Sequence, residues 1–452
     1  MTTAETIPET IEAPKDALTP REQRLERAAG VLRWGAIVSG GLVVVLLAAA
    51  LLGGVGLIPG LFPTLQNLLL GRAPLAADAA LSVVILLLLV DISLLLVLMV
   101  GVLAREFWSI PAVWLVAAVN VGAVILFGFT PAVIAIVAAV GSWIIIMRDM
   151  SAFRVNPVML KELRGRMRGV RAFIVLTIYL GLMGTFTTLL YLVFTASTVQ
   201  ATGSGAIGSI GRVLFAGLVG IELLLIIFIA PAFTAGAITG ERERQTYDLL
   251  QTTLLASPSF VIGKLESALG YILLLLFAAI PLQSIAFLFG GVTELELILS
   301  FIILAVTAVT LGTVGIFFSA ITPRTLSASV RSYTAALSVT VGILILLNFP
   351  LFNAFERAAS GFGSGISSSA LVETFFIYLG LVLVSLNPVA TALVSQQLLA
   401  DRQAFGLWTV TLSSDGSTIP LVSPWISFTV FYLVISTVLI VLAVREMRRD
   451  AV

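Results

Sequence analysis

The chain has 452 residues, 59% hydrophobic and 11% charged, with a formal net charge of +1. This balance lies far from that of soluble globular domains, and apolar runs long enough to cross a bilayer recur along it, so the chain reads as an all-α polytopic membrane helix bundle. It contains no cysteine and no histidine, which removes disulfides, thiolate chemistry, the commonest metal ligand and the commonest general base. No catalytic residue, bound cofactor, metal site or nucleic-acid partner is expected.

In chain order, residues 1–33 are polar, carry Pro8, Pro14 and Pro20 with charges of both signs, and read as a disordered arm. Within it Thr19-Pro20-Arg21-Glu22 has the form of a capping box with proline at the first helical position, opening a short helix through Ala28. The run Gly35 to Leu57 is of spanning rather than signal-peptide length. Further spans are expected at Ala79 to Leu103, Pro111 to Gly128, Pro131 to Met147, Phe173 to Ser197, Val213 to Ala237, Ala268 to Gly290, Leu297 to Ala320, Tyr333 to Leu351 and Ile426 to Val444, about ten crossings by length. The short pair from Pro111 to Met147 fits two spans or a re-entrant hairpin, and either keeps the next segment on the same side.

This divides the chain into an arm (1–33), a module of about four helices (34–150) and a membrane core (151–452). Leu371 to Leu386 is nearly long enough to span. Val372 to Ala400 instead reads as a broken, partly inserted helix pair, interrupted at Asn387-Pro388, inside an external re-entrant segment 354–424. Threading the spans alternately gathers Arg21 to Arg33, Arg105, Arg148 to Arg171, Arg242, Arg244, Lys264, Arg324, Arg331, Arg445, Arg448 and Arg449 on one face, and only Arg72, Arg212, Arg357 and Arg402 on the other. The richer face is expected to be cytoplasmic, with both termini there, in a bacterial-type inner (plasma) membrane.

Two cytoplasmic segments could carry function. Residues 156–171 open with Asn156 as N-cap and Pro157 at N1. Leu160, Leu163 and Met167 fall on one face and Lys161, Arg164, Arg168 and Arg171 on another, the pattern of an elbow helix lying on an anionic membrane surface. The segment 239–266 contains Gly240-Glu241-Arg242-Glu243-Arg244-Gln245-Thr246-Tyr247-Asp248-Leu249-Leu250. Four alternating charges cannot face lipid, so this stretch belongs in water or against another protein. Tyr247, Leu250 and Leu254 recur at helical spacing opposite Arg244, Asp248 and Gln251, and Ser257-Pro258 restarts a helix, with serine as N-cap, that runs into the next span past Gly263-Lys264.

Ala237 to Leu250 with Ser257-Pro258 and Gly263-Lys264, preceded by Asn156-Pro-Val-Met-Leu-Lys-Glu-Leu-Arg164, resembles the coupling segment and opening segment of ABC-2-type transporter permeases. The likeness covers the chain from Asn156 onward and leaves the first module unexplained. It departs at Gln245, where glycine commonly precedes the threonine, and at Leu254, where proline is common. The resemblance implies a six-helix permease core that pairs with a second copy or a paralogue in the bilayer. ABC ATPase subunits carrying ATP and Mg would dock beneath it. It further implies that Glu241, Arg242, Glu243, Arg244 and Thr246 face that ATPase, that Leu249, Leu250 and Leu254 pack the lever to the spans, and that Pro258 and Lys264 complete the coupling segment. Gly263-Lys264 lacks the upstream glycine and following Ser or Thr of a phosphate loop, so hydrolysis falls to the partner.

Asp91 and Glu222 stand mid-span, where a carboxyl is costly unless paired, protonated or hydrated. Neutral carboxyls hydrogen-bonded between helices are the structural reading. An ion-coupled secondary transporter using both acids is the main alternative to an ATP-driven exporter, and a non-transporting membrane scaffold is a third.

Overall fold

The computed structural model describes residues 19–54, 69, 77–198, 205–247, 256–348, 370–403, 405–411 and 418–449. Helices α1 (Pro20–Gly54), α2 (Ala77–Ala104), α3 (Ser109–Phe127) and α4 (Ala132–Ile146) are followed by a 3-10 turn, Met147–Ala152. Next come α5 (Pro157–Met167), α6 (Val170–Thr198), α7 (Gly205–Thr234), the short α8 (Thr239–Glu243), α9 (Ser257–Leu288) and α10 (Glu294–Ile321). The remainder is α11 (Thr325–Leu337), a π turn (Ser338–Gly342), α12 (Ile343–Asn348), α13 (Ala370–Ser385), α14 (Pro388–Arg402), strands β1 (Leu407–Thr411) and β2 (Thr418–Val422), and α15 (Pro424–Arg449). Among the described residues ten helices are long and apolar enough to cross a membrane, which makes the chain an all-α polytopic bundle. The antiparallel β1–β2 ribbon is its one sheet among these residues.

The arm expected through Arg33 is not an arm from Pro20 onward. Thr19 donates through its backbone N and its hydroxyl to Glu22, which returns its own N–H to Thr19 Oγ1, so the capping box is built as read. The helix it opens does not stop at Ala28 but continues unbroken into the first span. No proline interrupts it after Pro20. Leu25, Ala28, Ala29 and Leu32 are buried, and Asp149 receives Arg24 at 2.7 Å and Arg21 at 3.3 Å.

Hydrophobic burial does not drive helices together in lipid, so close packing by small residues must. α1 packs on α4, and Ala36, Ala135, Ala138 and Ala139 belong to one buried cluster. A Cβ at Gly35 would lie 2.7 Å from that of Ala138. The same cluster continues from α1, α2 and α4 into Val261, Ile262 and Leu265 of α9, Ile316 and Ala320 of α10 and Ala443 of α15. The first four helices therefore share their core with the rest. In α10, Thr307, Thr310 and Thr313 each donate to the carbonyl one turn back.

The break at Asn387-Pro388 is present, with helices bent by 117°. Asn387 Oδ1 caps α14 by accepting from Ala390 N at 3.0 Å, while its Nδ2 donates to Val339 O and Thr340 O at 3.0 and 2.7 Å. Those carbonyls belong to the π turn, where the regular ladder is interrupted. One amide thus satisfies two irregularities.

α7 and α10 approach at Gly315, where a Cβ would lie 2.9 Å from Thr234 Cβ and 3.2 Å from Ala235 N. Gly315→Ala should lower stability in detergent thermal unfolding by about 1–3 kcal/mol, and adding Thr234→Ala should recover part of the loss.

Candidate functional site

The segment 239–266 is anchored at its start by α10. Ile238 N and Thr239 N both donate to Ser319 Oγ, at 2.9 and 3.0 Å, inside the bundle. α8 lasts only to Glu243. Arg244 and Gln245 then turn the chain, with Gln245 in the left-handed region at φ 57°. That is the position at which the sequence departs from glycine, and glycine is the residue such a backbone favours. Thr246 closes the turn by donating its N–H to Glu241 O and its hydroxyl to Glu241 Oε2. The amphipathic helix expected from Tyr247 onward, including Leu249, Leu250 and Leu254, lies outside the described residues save Tyr247, which is buried beneath the Arg242 guanidinium at 5.1 Å.

The charges of this segment do not all point outward. Lys264 is 4% exposed. Its Nζ donates to Glu241 Oε1 at 2.8 Å and to Glu162 Oε1 at 2.5 Å, over the Phe260 ring. Glu162 lies 3.8 Å from Arg166, which donates to Phe233 O and stacks on the Phe233 ring. One chain of contacts so runs from α8 through α9 and α5 to α7. Arg242 donates to Thr322 O, and Glu243 accepts from Thr325 N at 2.7 Å, capping α11. Among the described residues of this segment, Glu243, Arg244, Gln245 and Thr246 are exposed. Pro258 is buried in the first turn of α9, whose N-cap is Ala256 rather than Ser257.

The elbow helix begins as read, with Asn156 Oδ1 accepting from Val158 N and Met159 N. It ends at Met167, because Arg168 is extended and Gly169 has φ 112°, so 156–171 is not one helix. Lys161, Arg164 and Arg168 are exposed and line a shallow groove with Pro157 and Leu160.

Asn156 does more than cap. Its Nδ2 donates to Glu106 Oε1 at 2.7 Å and to Ser259 O at 2.6 Å. Gly263 leaves the necessary room, since a Cβ there would lie 2.6 Å from Asn156 Oδ1. Beside it Trp108 Nε1 donates to Glu266 Oε1 at 2.9 Å. These contacts join the α2–α3 connection to the base of α9, and sequence reading missed Glu106, Trp108, Ser259 and Glu266. The available signal was an acid between Arg105 and Phe107 in a short connection. Burial, then the neighbouring Glu266 carboxylate, pushes Glu106 up to about 7 against the opposing hydrogen bond from Asn156.

The intramembrane acids are each bonded to an amide on a neighbouring helix. Asp91 of α2 accepts from Asn120 of α3 at 2.9 Å, and Glu222 of α7 accepts from Gln283 of α9 at 2.7 Å. No cluster of three or more acidic, His or Cys side chains able to hold a metal occurs among the described residues. No protein-family model, curated protein or solved structure matches this chain.

Removing the cation should leave two carboxylates facing each other. Lys264→Met should cost about 2–4 kcal/mol of detergent-measured stability, at or below the figure for breaking a fully buried pair because both acids keep some water. Lys264→Met with Glu241→Gln should cost less than the sum of the two single changes. Glu106 binds its proton more tightly when folded, so its contribution is full below the ordinary carboxyl range, near 4.5, and is lost as pH rises through about 7. Melting profiles from pH 5 to 8 should therefore slope downward, and Glu106→Gln should flatten that slope.

Proposed function

We propose that this chain is the membrane permease subunit of an ATP-driven transporter of ABC-2 type, working as an exporter. Nucleotide hydrolysis takes place on separate ATPase subunits docked on the cytoplasmic side. The core pairs with a second copy or a paralogue, in a plasma membrane with both termini in the cytoplasm. What supports the reading is the joint at Lys264. A force applied to the exposed turn Glu243 to Thr246 meets α8, and α8 is tied through Glu241 and Lys264 to the elbow and to α9, with Glu162 and Arg166 passing the connection to α7. A loop that merely linked two spans would not need a buried ammonium shared by two carboxylates.

The Lys264 ammonium is occupied by Glu162 and Glu241, and Gly263-Lys264 lacks the flanking residues of a phosphate loop, so the reading gives this pair a structural role. ATP binding would close the ATPase pair, push the turn and shift the spans between inward-open and outward-open arrangements. A second reading, an ion-coupled carrier using Asp91 and Glu222, draws on Glu222 Oε1, which is buried and without a hydrogen-bond partner among the described residues.

Purification from the native host in mild detergent should bring down an ATP-binding chain in a fixed ratio, detected by photo-crosslinking with a nucleotide analogue. Arg244→Glu should weaken that association about tenfold or more with stability unchanged, whereas Lys264→Met should keep the association and uncouple hydrolysis from transport. Absence of any nucleotide-binding partner, with transport in proteoliposomes driven by a proton gradient alone, would transfer the function to Glu222.

A further inference from the structure

Between α1, α2, α9 and α15, at the end of the bundle that holds Lys264, a cavity of about 310 Å³ opens. Its rim carries Arg33, Arg445 and Arg448 against one acid, Glu26. Arg448 lies 3.7 Å from Glu26, a loose pairing. Arg33 and Arg445 are exposed, with no ion-pair partner among the described residues. The wall below is apolar, formed by Met99 and Leu103 of α2, Ile262 of α9 and Val441 of α15. Trp34, beside Arg33, is 62% exposed, as befits an aromatic ring at the headgroup level.

We propose that this cavity binds one anionic phospholipid, its phosphate held by Arg33 and Arg445 and an acyl chain laid along the apolar wall. Charge decides between ligands. A zwitterionic headgroup would bring a second cation to a rim that already has an excess of two, whereas a headgroup with net negative charge compensates it. Length decides the rest: a free phosphate would satisfy the arginines but leave the wall uncovered, and an acyl chain covers it. The occupant seals a seam between the first module and α9 and α15. This lipid site stands independently of the transport reading.

The test uses the full chain, delipidated in maltoside detergent and titrated with phosphatidylglycerol, phosphatidylcholine or inorganic phosphate, with native mass spectrometry counting bound molecules. One phosphatidylglycerol should bind saturably. Arg33→Gln with Arg445→Gln should weaken it about thirtyfold, the effect of two headgroup-level charges, and Arg33→Lys with Arg445→Lys should retain it. Val441→Trp, which fills the wall and alters no charge, should also weaken binding and serves if the double glutamine variant does not fold. Equal binding of phosphatidylcholine, displacement by inorganic phosphate, or unchanged affinity in Val441→Trp would each overturn the proposal.

Discussion

An ammonium group cannot sit buried and unpaired without a large cost, and Lys264 is buried among the chain's own helices. Everything around it follows from that constraint. Its two carboxylate partners lie 102 and 23 positions away in sequence, so pairing the cation fixes the elbow helix and the charged turn against the same point of α9. Loss of either partner would leave an uncompensated charge, which is the strongly unfavourable case. The joint is stiff because its alternatives are costly.

Stiffness at that point would achieve little if the surrounding helices were free to slide. Beside the buried leucine, isoleucine and phenylalanine clusters, close approaches at small side chains hold them in register. Gly315 against Thr234 and Gly35 against Ala138 allow backbones to approach where lipid provides no hydrophobic push. Ser319 then carries the α7–α10 contact into the turn by accepting two backbone N–H groups at the start of α8. Packing and polar anchoring meet within a few residues.

What was legible in the sequence was whatever depended on local pattern. The ten spans follow from apolar length, the Thr19 box and the Asn156 cap from i,i+3 chemistry, and the bend at Asn387 from proline. Partners distant in sequence were not legible. Lys264 reads as a cytosolic charge because no local rule reports that Glu162 folds back onto it, and nothing near Glu106 in sequence announces its bond to Asn156, 50 residues away. The arm through Arg33 was misread for the same reason: its polar composition argues for disorder, while its alanine and leucine face is ordered by α4 and by Asp149. Gln245 is an intermediate case. Its departure from glycine was visible, and the left-handed backbone that gives the departure meaning was not.

The first four helices, unexplained by the resemblance, acquire a physical relation to the joint through Asn156. The same amide that donates to Ser259, at the root of α9, also donates to Glu106, in the connection just after α2. Lys264 follows Ser259 by five positions, so the two polar nodes lie little more than a turn apart on one helix. A displacement of α9 large enough to move the Lys264 strut must therefore strain the Asn156 contacts or carry α2 along. Because α2 shares a core with α1, α4 and α15, the second outcome moves a module rather than a side chain. The additional helices are thus mechanically in series with the turn. Ballast with no tie to α9 would have left Asn156 free to serve as a cap alone.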